Sequence, residues 1–401
     1  MFSRSLLIIA LCILLPLPTA ANLFSAPTID GHIKTLNSWY DSPTWSQLDD
    51  GFFSANSQRL SMKTDIGDVI KAELAIDNLA LYSGPPTQIL LPADSPNRRL
   101  DLEHDSNHGA RWSNRLSIDR LTLGGSYQDL DWSIGRQAVG FGRIVIFSPL
   151  DIIAPFPPDA LDTDVRPGVD AVRTVYYFGL GGQIGGTIVF GADRDRNSYL
   201  VTFSVNKSGI DLLGIGGTLR DRGMLGLGVA GNLGTLGVKA EASYYNGKDV
   251  GQPGGDLHED FTIGAIELWY RFNNGAVLLG QYLYNGAGAE RPEEYLLAAT
   301  SAPFNEGLAF LTGQQYLLLG PSWEFHPLAS ISGLLIRNLE DDSTLLRPQL
   351  QLSLTDNLSL DLFYSFNFGE DPQAVVPGIF IPRSEFGSAG DNGGLLLRWY
   401  F

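Results

Sequence analysis

Arg59, Lys63, Lys71, Glu73, Arg136, Arg173, Lys239, Glu267, Arg271 and Arg347 are spread along extended stretches of a chain that is only 18% charged. An extended chain sends successive side chains to opposite faces, so such residues gather on one face and leave the other greasy. A face of this kind can hold guanidinium groups opposite carboxylates. It would then select anionic or polyhydroxylated solutes, or pair its charges laterally and brace a wall. A second concentration is FSPLDIIAPFPPDALDTDVRPGVD, residues 147–170, with five prolines and five aspartates. Its Asp151, Asp159, Asp162, Asp164 and Arg166 sit among Ile152, Ile153, Phe156 and Leu161, too apolar for a solvated loop and too rich in proline for a paired strand.

Other chemistries find little support. DLEHDSNH (101–108) gathers two histidines and three carboxylates, but His104 and His108 share a metal only on a helix, against which Asn107 and Gly109 argue. GLGVAG (226–231) fits the dinucleotide pattern literally, yet it sits in a strand and opens no helix. Glycines there are expected to make room for bulky neighbours or loops. No GxSxG or HExxH occurs, and Cys12 is the single cysteine. We expect no metal, no cofactor and no enzymatic activity. A net charge of −17 argues against nucleic acid as a partner.

The elements that position these residues follow from the pattern. MFSRSLLIIALCILLPLPTAAN opens with one arginine, a short proline-broken apolar run and small residues before Asn22, as a cleaved secretory leader over 1–21 does. After it no apolar run approaches the ~20 residues of a spanning helix. Strict alternation marks Ile70–Asp77, Ser343–Thr355 and Leu358–Phe368. In the second of these Leu346, Pro348, Leu350, Leu352 and Leu354 oppose Arg347, Gln349, Gln351 and Ser353. Short connections such as 65–68, 206–209, 232–235 and 355–357 alternate with longer ones such as 83–110, 142–168 and 285–312. Turns at one end and loops at the other are the mark of an outer-membrane barrel. Aromatics cluster at both strand ends, among them Trp132, Tyr270 and Trp323 by the turns and Tyr82, Tyr244 and Phe366 by the loops. The chain ends GLLLRWYF, and Arg398, Trp399, Tyr400 and Phe401 resemble the assembly signal of Gram-negative outer-membrane proteins.

GRQAVGFGRIVIFSPLDIIAPF and DVRPGVDAVR (within 135–173), with NLEDDSTLLRPQLQLSLTDNLSLDLFYSFNFG (338–369), resemble Gram-negative outer-membrane porin-like β-barrel families, and more distantly the alginate-export barrels. That resemblance implies a solute-conducting barrel.

The reading is therefore an all-β, transmembrane, antiparallel up-and-down β-barrel of about 18 strands, or 16 where alternation is poor. It forms a single domain over residues 22–401, in the outer membrane of a Gram-negative bacterium. Loop 142–168 is expected to fold inward as a third extracellular loop, its aspartates facing wall arginines such as Arg136 and Arg173; an external cap is the other arrangement. The expected function is passive diffusion of small hydrophilic solutes, the alternative a structural or adhesive barrel presenting acidic loops. Expected partners are outer-membrane lipids, including lipopolysaccharide bridged by divalent cations, and the barrel assembly machinery. A short helix is expected over Glu293–Ala299, after Pro292. Oligomeric state is left open.

Overall fold

Alternation dictates the wall. In the computed structural model, which describes residues 24–43, 45–46, 49–67, 69–84, 95–107, 111–376 and 379–401, the greasy parity points outward and the polar parity inward. The expected leader and His108 lie outside the described residues. The strands are β1 (Thr28–Tyr40), β2 (Gly51–Ile66), β3 (Ile70–Ser83), β4 (Glu103–Asn107), β5 (Trp112–Tyr127), β6 (Leu130–Gln137) and β7 (Val169–Phe178). There follow β8 (Gly182–Val189), β9 (Ser198–Lys207), β10 (Ile210–Leu219), β11 (Arg222–Leu233), β12 (Leu236–Asn246), β13 (Asp260–Arg271) and β14 (Val277–Asn285). The chain ends with β15 (Gln315–His326), β16 (Ala329–Asn338), β17 (Thr344–Thr355), β18 (Leu358–Phe368), the short pair β19 (Gln373–Val376) and β20 (Ile379–Ile381), and β21 (Asn392–Tyr400).

Setting aside β4, β19 and β20, 18 strands pair antiparallel in sequence order. The barrel closes where β1 meets β21, from His32 opposite Tyr400 to Tyr40 opposite Asn392. Ser208–Gly209 turns with both residues at positive φ (56° and 80°), and Arg220–Asp221 does the same at the other end (47° and 69°). That geometry matches the twist of a two-residue hairpin. Outward residues such as Leu60, Leu227 and Ile266 are at least half exposed, an apolar belt that water would not dissolve.

Three irregularities blurred the sequence pattern. In the β3–β5 ladder Ala75 faces Arg120 while Ile76 faces Ile118, so Asp119 is a bulged extra residue and parity slips there. Inward Leu334 and Ile336 on β16 are apolar because they pack on the material filling the barrel. Finally β6 stops at Gln137, four residues short of the expected Phe141. Its ladder ends at Leu121 opposite Arg136, leaving the upper edge of β5 unpaired. A sheet edge cannot be left bare in a membrane. The connection expected to be plain loop over 83–110 supplies β4, which pairs Glu103 with Ser117 and Asn107 with Ser113. Beside it the Asp170 and Ala192 N–H groups donate to the carbonyls of Asn97 and Pro96, both at 3.1 Å.

The hydrophobic core lies inside the barrel. Residues 138–168 fold inward, and Val139, Ile144, Phe147, Leu150, Ile152 and Ile153 are buried against the inner faces of β10 to β17. Each such side chain stabilises the docked segment by about 1.5–3 kcal/mol. Glycines of the 226–231 run make the space: a Cβ on Gly226 would lie 2.5 Å from the Leu150 methyl, and one on Gly228 3.0 Å. The helix expected over Glu293–Ala299 in the 285–312 connection forms as Tyr295–Ala299, with Tyr295 and Ala298 buried beside Ala289 and Leu257.

Gly226→Leu should therefore overpack the Leu150 site and lower stability by about 1–3 kcal/mol. Urea unfolding read by heat-modifiable gel migration checks this. Gly214→Ala is the control, since a Cβ at Gly214 meets only ordinary contacts at 3.9 and 4.0 Å.

Candidate functional site: a segment strapped across the lumen

A backbone that leaves the sheet inside a barrel must find partners for its N–H groups. For residues 143–148 those partners are wall side chains. The Glu241 carboxylate accepts from the Arg143 N–H (2.7 Å), the Ile144 N–H (3.2 Å) and the Ser148 hydroxyl. Glu267 accepts from the Val145 N–H at 2.7 Å. Gln281 accepts from the Phe147 N–H (3.2 Å) and donates to its carbonyl (2.7 Å). Lys239 donates to the Arg143 carbonyl and bridges Glu267, both at 2.8 Å. These residues sit at inward positions of β12, β13 and β14, so consecutive strands present consecutive grips.

The segment then crosses to the opposite wall. Arg347 on β17 donates to the Asp159 carbonyl at 2.6 Å, and Arg398 on β21 to the Leu161 carbonyl at 3.2 Å. Lys34 on β1 bridges Asp162 (2.8 Å) and Asp164 (2.9 Å). The Tyr400 hydroxyl also donates to Asp164. Burial works against the charged form of Asp164, but the hydrogen bonds from Tyr400 and Lys34 prevail and hold its carboxyl below the usual range. The lobe is pinned at its neck by Arg166, which pairs with Asp151 (2.5 Å), donates to the Ala154 carbonyl (2.6 Å) and stacks over Phe156 (5.2 Å). Burial raises the Asp151 carboxyl despite Arg166 beside it. Between residues 157–162 and the wall lies a cavity of about 430 Å³, lined by Lys34, Leu36, Leu345, Arg347, Asp159 and Asp162 among others.

The remaining sequence-expected charges separate by role. Arg59 pairs with Asp77 (2.7 Å) and Asp119 (2.8 Å). Asp119 also receives Arg98 (2.8 Å), Arg120 and the Gly168 N–H (2.8 Å), so one buried carboxylate gathers three guanidinium groups. Lys63 makes a loose, exposed pair with Asp30 at 3.6 Å. Lys71, Glu73 and Arg271 occupy inward positions toward the turn end and Arg173 one at mid-strand, and none makes an ion pair within the described residues.

Two placements correct the expectation. Arg136 does not line the lumen. The register sets it beside outward Leu121, and its fully buried guanidinium lies in the wall, bonded to Asp170 at 2.8 Å and to the Ile118 carbonyl that the short β6 leaves free. The aspartates of the segment meet Lys34, Tyr400, Arg166 and, at 3.8 Å, the wall arginine Arg398, instead of Arg136 and Arg173. The C-terminal residues divide by parity: Trp399 and Phe401 face outward, whereas Arg398 and Tyr400 grip the segment.

Sequence reasoning missed Gln281 as a grip, although its polar amide on the inward parity of VLLGQYLYN was a signal. It also missed a clasp at the rim. Arg222 pairs bidentately with Asp256 (2.6 and 2.8 Å) and with Glu306 (2.5 Å), and Arg220 reaches Glu306 (3.1 Å) and the Ile152 carbonyl (3.3 Å). Nothing local in a two-residue turn announces partners that distant in sequence.

No family model matches this chain, and no curated protein does. Solved structures match along nearly its whole length. OccAB4 of Acinetobacter baumannii aligns with a TM-score of 0.59 at 10% identity, over 95% of this chain and 99% of that one. A BenF-like porin of Pseudomonas fluorescens Pf-5 aligns at 0.57 and 8%, over 94% and 98%. OccAB1 of A. baumannii aligns at 0.54 and 8%, over 93% and 96%. At such identities the likeness is one of fold: a porin-like barrel.

Asp119→Ala should cost about 3–5 kcal/mol, because it strips buried Arg120 of its ion pair and removes one of the two carboxylates held by Arg59, which keeps Asp77, and by Arg98, which keeps Glu103. Lys63→Ala should cost less than about 1 kcal/mol, its pair being exposed. Denaturant titration of folded barrel by gel shift reads both.

Proposed function

We propose that this chain is a Gram-negative outer-membrane channel for passive diffusion of small hydrophilic solutes, and that residues 143–164 are its constriction. The observation that carries the reading is the strapped segment itself. A barrel needed only as a scaffold has no use for wall carboxylates spent on holding an irregular backbone across its lumen. The opening left beside the lobe offers Lys34 and Arg347 on the wall against Asp159 and Asp162 on the loop. A passing solute would exchange water for these groups, and apolar Leu36 and Leu345 limit its width. No nucleophile–base pair is needed for this, and we read the chain as non-enzymatic.

The reading extends to the ends of the chain. Residues 1–21 act as an export leader and 22–401 as one barrel domain. Trp399 and Phe401, outward on the closing strand, serve the assembly machinery. Acidic loops face lipopolysaccharide through divalent cations.

Single-channel recording in planar bilayers tests the proposal. Wild-type protein should conduct, and deleting residues 156–164 should raise conductance while heat-modifiable migration persists. A silent wild-type barrel would sink the channel reading in favour of a structural or adhesive one. Arg347→Ala should shift ion selectivity toward cations.

Acid should release the lobe in a defined window. A carboxyl depressed in the folded state stabilises above its ordinary pKa of about 3.9 and loses that contribution as pH falls through the depressed value. Asp164, facing Lys34, Arg398 and Tyr400, should therefore hold the lobe docked from neutral pH to about pH 4 and release it below. Conductance should be flat over the first range and rise in the second. Asp164→Asn should remove most of that acid response.

A further inference from the structure

Neighbouring strands of the wall follow one another along the chain everywhere but at the joint of β1 with β21, where its two ends meet. No turn or loop ties that joint. It rests on its ladder, from His32 opposite Tyr400 to Tyr40 opposite Asn392, with the Gly31 N–H donating to the Phe401 carbonyl at 2.9 Å.

The inward side chains of this joint repel one another. Lys34 stands directly opposite Arg398, and on its other flank it meets Ser57 of β2. Like charges directly opposite each other work against pairing. Elsewhere the wall answers a cation from the neighbouring strand: Arg59 faces Asp77 across β2 and β3, and Lys239 faces Glu267 across β12 and β13. Here Asp361 of β18 pairs with Arg398, and no wall carboxylate within the described residues pairs with Lys34. Yet the Lys34 side chain is only 4% exposed.

The missing carboxylates come from the inward segment. Every hydrogen bond of the Lys34 ammonium within the described residues goes to Asp162 or Asp164. Asp164 also accepts from the Tyr400 hydroxyl and lies 3.8 Å from the Arg398 Nε, so one carboxylate touches both terminal strands. The Leu161 carbonyl takes Arg398, and the Asp159 carbonyl takes Arg347. Residues 159–164 thus run from β17 over β21 to β1, across the joint.

We infer that residues 159–164 lock the barrel closed. Docked, they set two carboxylates between Lys34 and Arg398 and turn a repulsive joint into an attractive one. Undocked, they leave a buried ammonium facing a guanidinium. The backbone ladder still forms then, but it opens more often than any joint that a turn holds. Anchoring alone would not require this position, since Glu241, Glu267 and Gln281 anchor the first half of the segment on β12, β13 and β14, strands that turns already join. Conduction plays no part in the lock, which stands or falls apart from the channel reading.

Amide hydrogen exchange of the full-length barrel in detergent micelles, followed by peptide mass, tests this. Asp162→Asn with Asp164→Asn should speed exchange over residues 32–40 and 392–400 by at least about tenfold, and leave residues 198–207 of β9 unchanged. Adding Lys34→Met removes the ammonium and should return the joint to wild-type exchange. Unchanged exchange at the joint in the Asn pair overturns the lock. So does acceleration that Lys34→Met fails to reverse, or that is equal over residues 198–207. Should the Asn pair not fold, recovery of a heat-modifiable barrel on adding Lys34→Met supports the lock, and no recovery contradicts it.

Discussion

Backbone amides that leave a β-sheet inside a membrane barrel must be hydrogen-bonded by something other than a strand, and Glu241 answers that demand here. It takes two backbone N–H groups and a hydroxyl from residues 143–148. Glu267 and Gln281 continue the grip on the next two strands. With the first half of the inward segment held, Leu150 falls into the hollow left by Gly226 and Gly228, and the apolar core of the molecule forms inside the wall. The second half then reaches Lys34, Arg347, Arg398 and Tyr400 on the far side. The charged inner face thus braces and positions at once.

The inward departure of one segment also explains an oddity of the wall. By turning in at Gln137, β6 strips the upper edge of β5. The chain repairs this with β4, borrowed from the preceding connection, and with the Arg136–Asp170 pair set into the gap. The bulge at Asp119 lies at the same height and aims a carboxylate at Arg59, Arg98 and Arg120. The inward segment and the wall repair beside it are one structure.

The barrel was legible in the sequence because its period is local. Leu346 through Leu354 alternate with Arg347 through Ser353, and that needs no knowledge of neighbours. The inward fold of loop 142–168 was legible too, from proline that forbids pairing beside isoleucine that resists water. Partner identity was not. Asp162 and Lys34 are far apart in sequence, and only closure of β1 on β21 brings Lys34 round to meet the segment. Arg136 was expected in the lumen as a charge that cannot face lipid, although it shares the parity of apolar Trp132 and Ile134, and the strand holding it ends one residue later. Its side chain fills a gap that exists only in three dimensions. The clasp of Arg220 and Arg222 was hidden for a similar reason, since both partners arrive on other loops.

The central claim is that wall carboxylates hold the segment across the lumen. Single-channel conductance of a Glu241→Ala, Glu267→Ala double variant tests it most directly. The account predicts a folded, heat-modifiable barrel whose conductance is larger and more variable than wild type, because residues 143–148 lose their hydrogen-bond partners and the lobe beyond them loses its base. A folded double variant with wild-type conductance would contradict it.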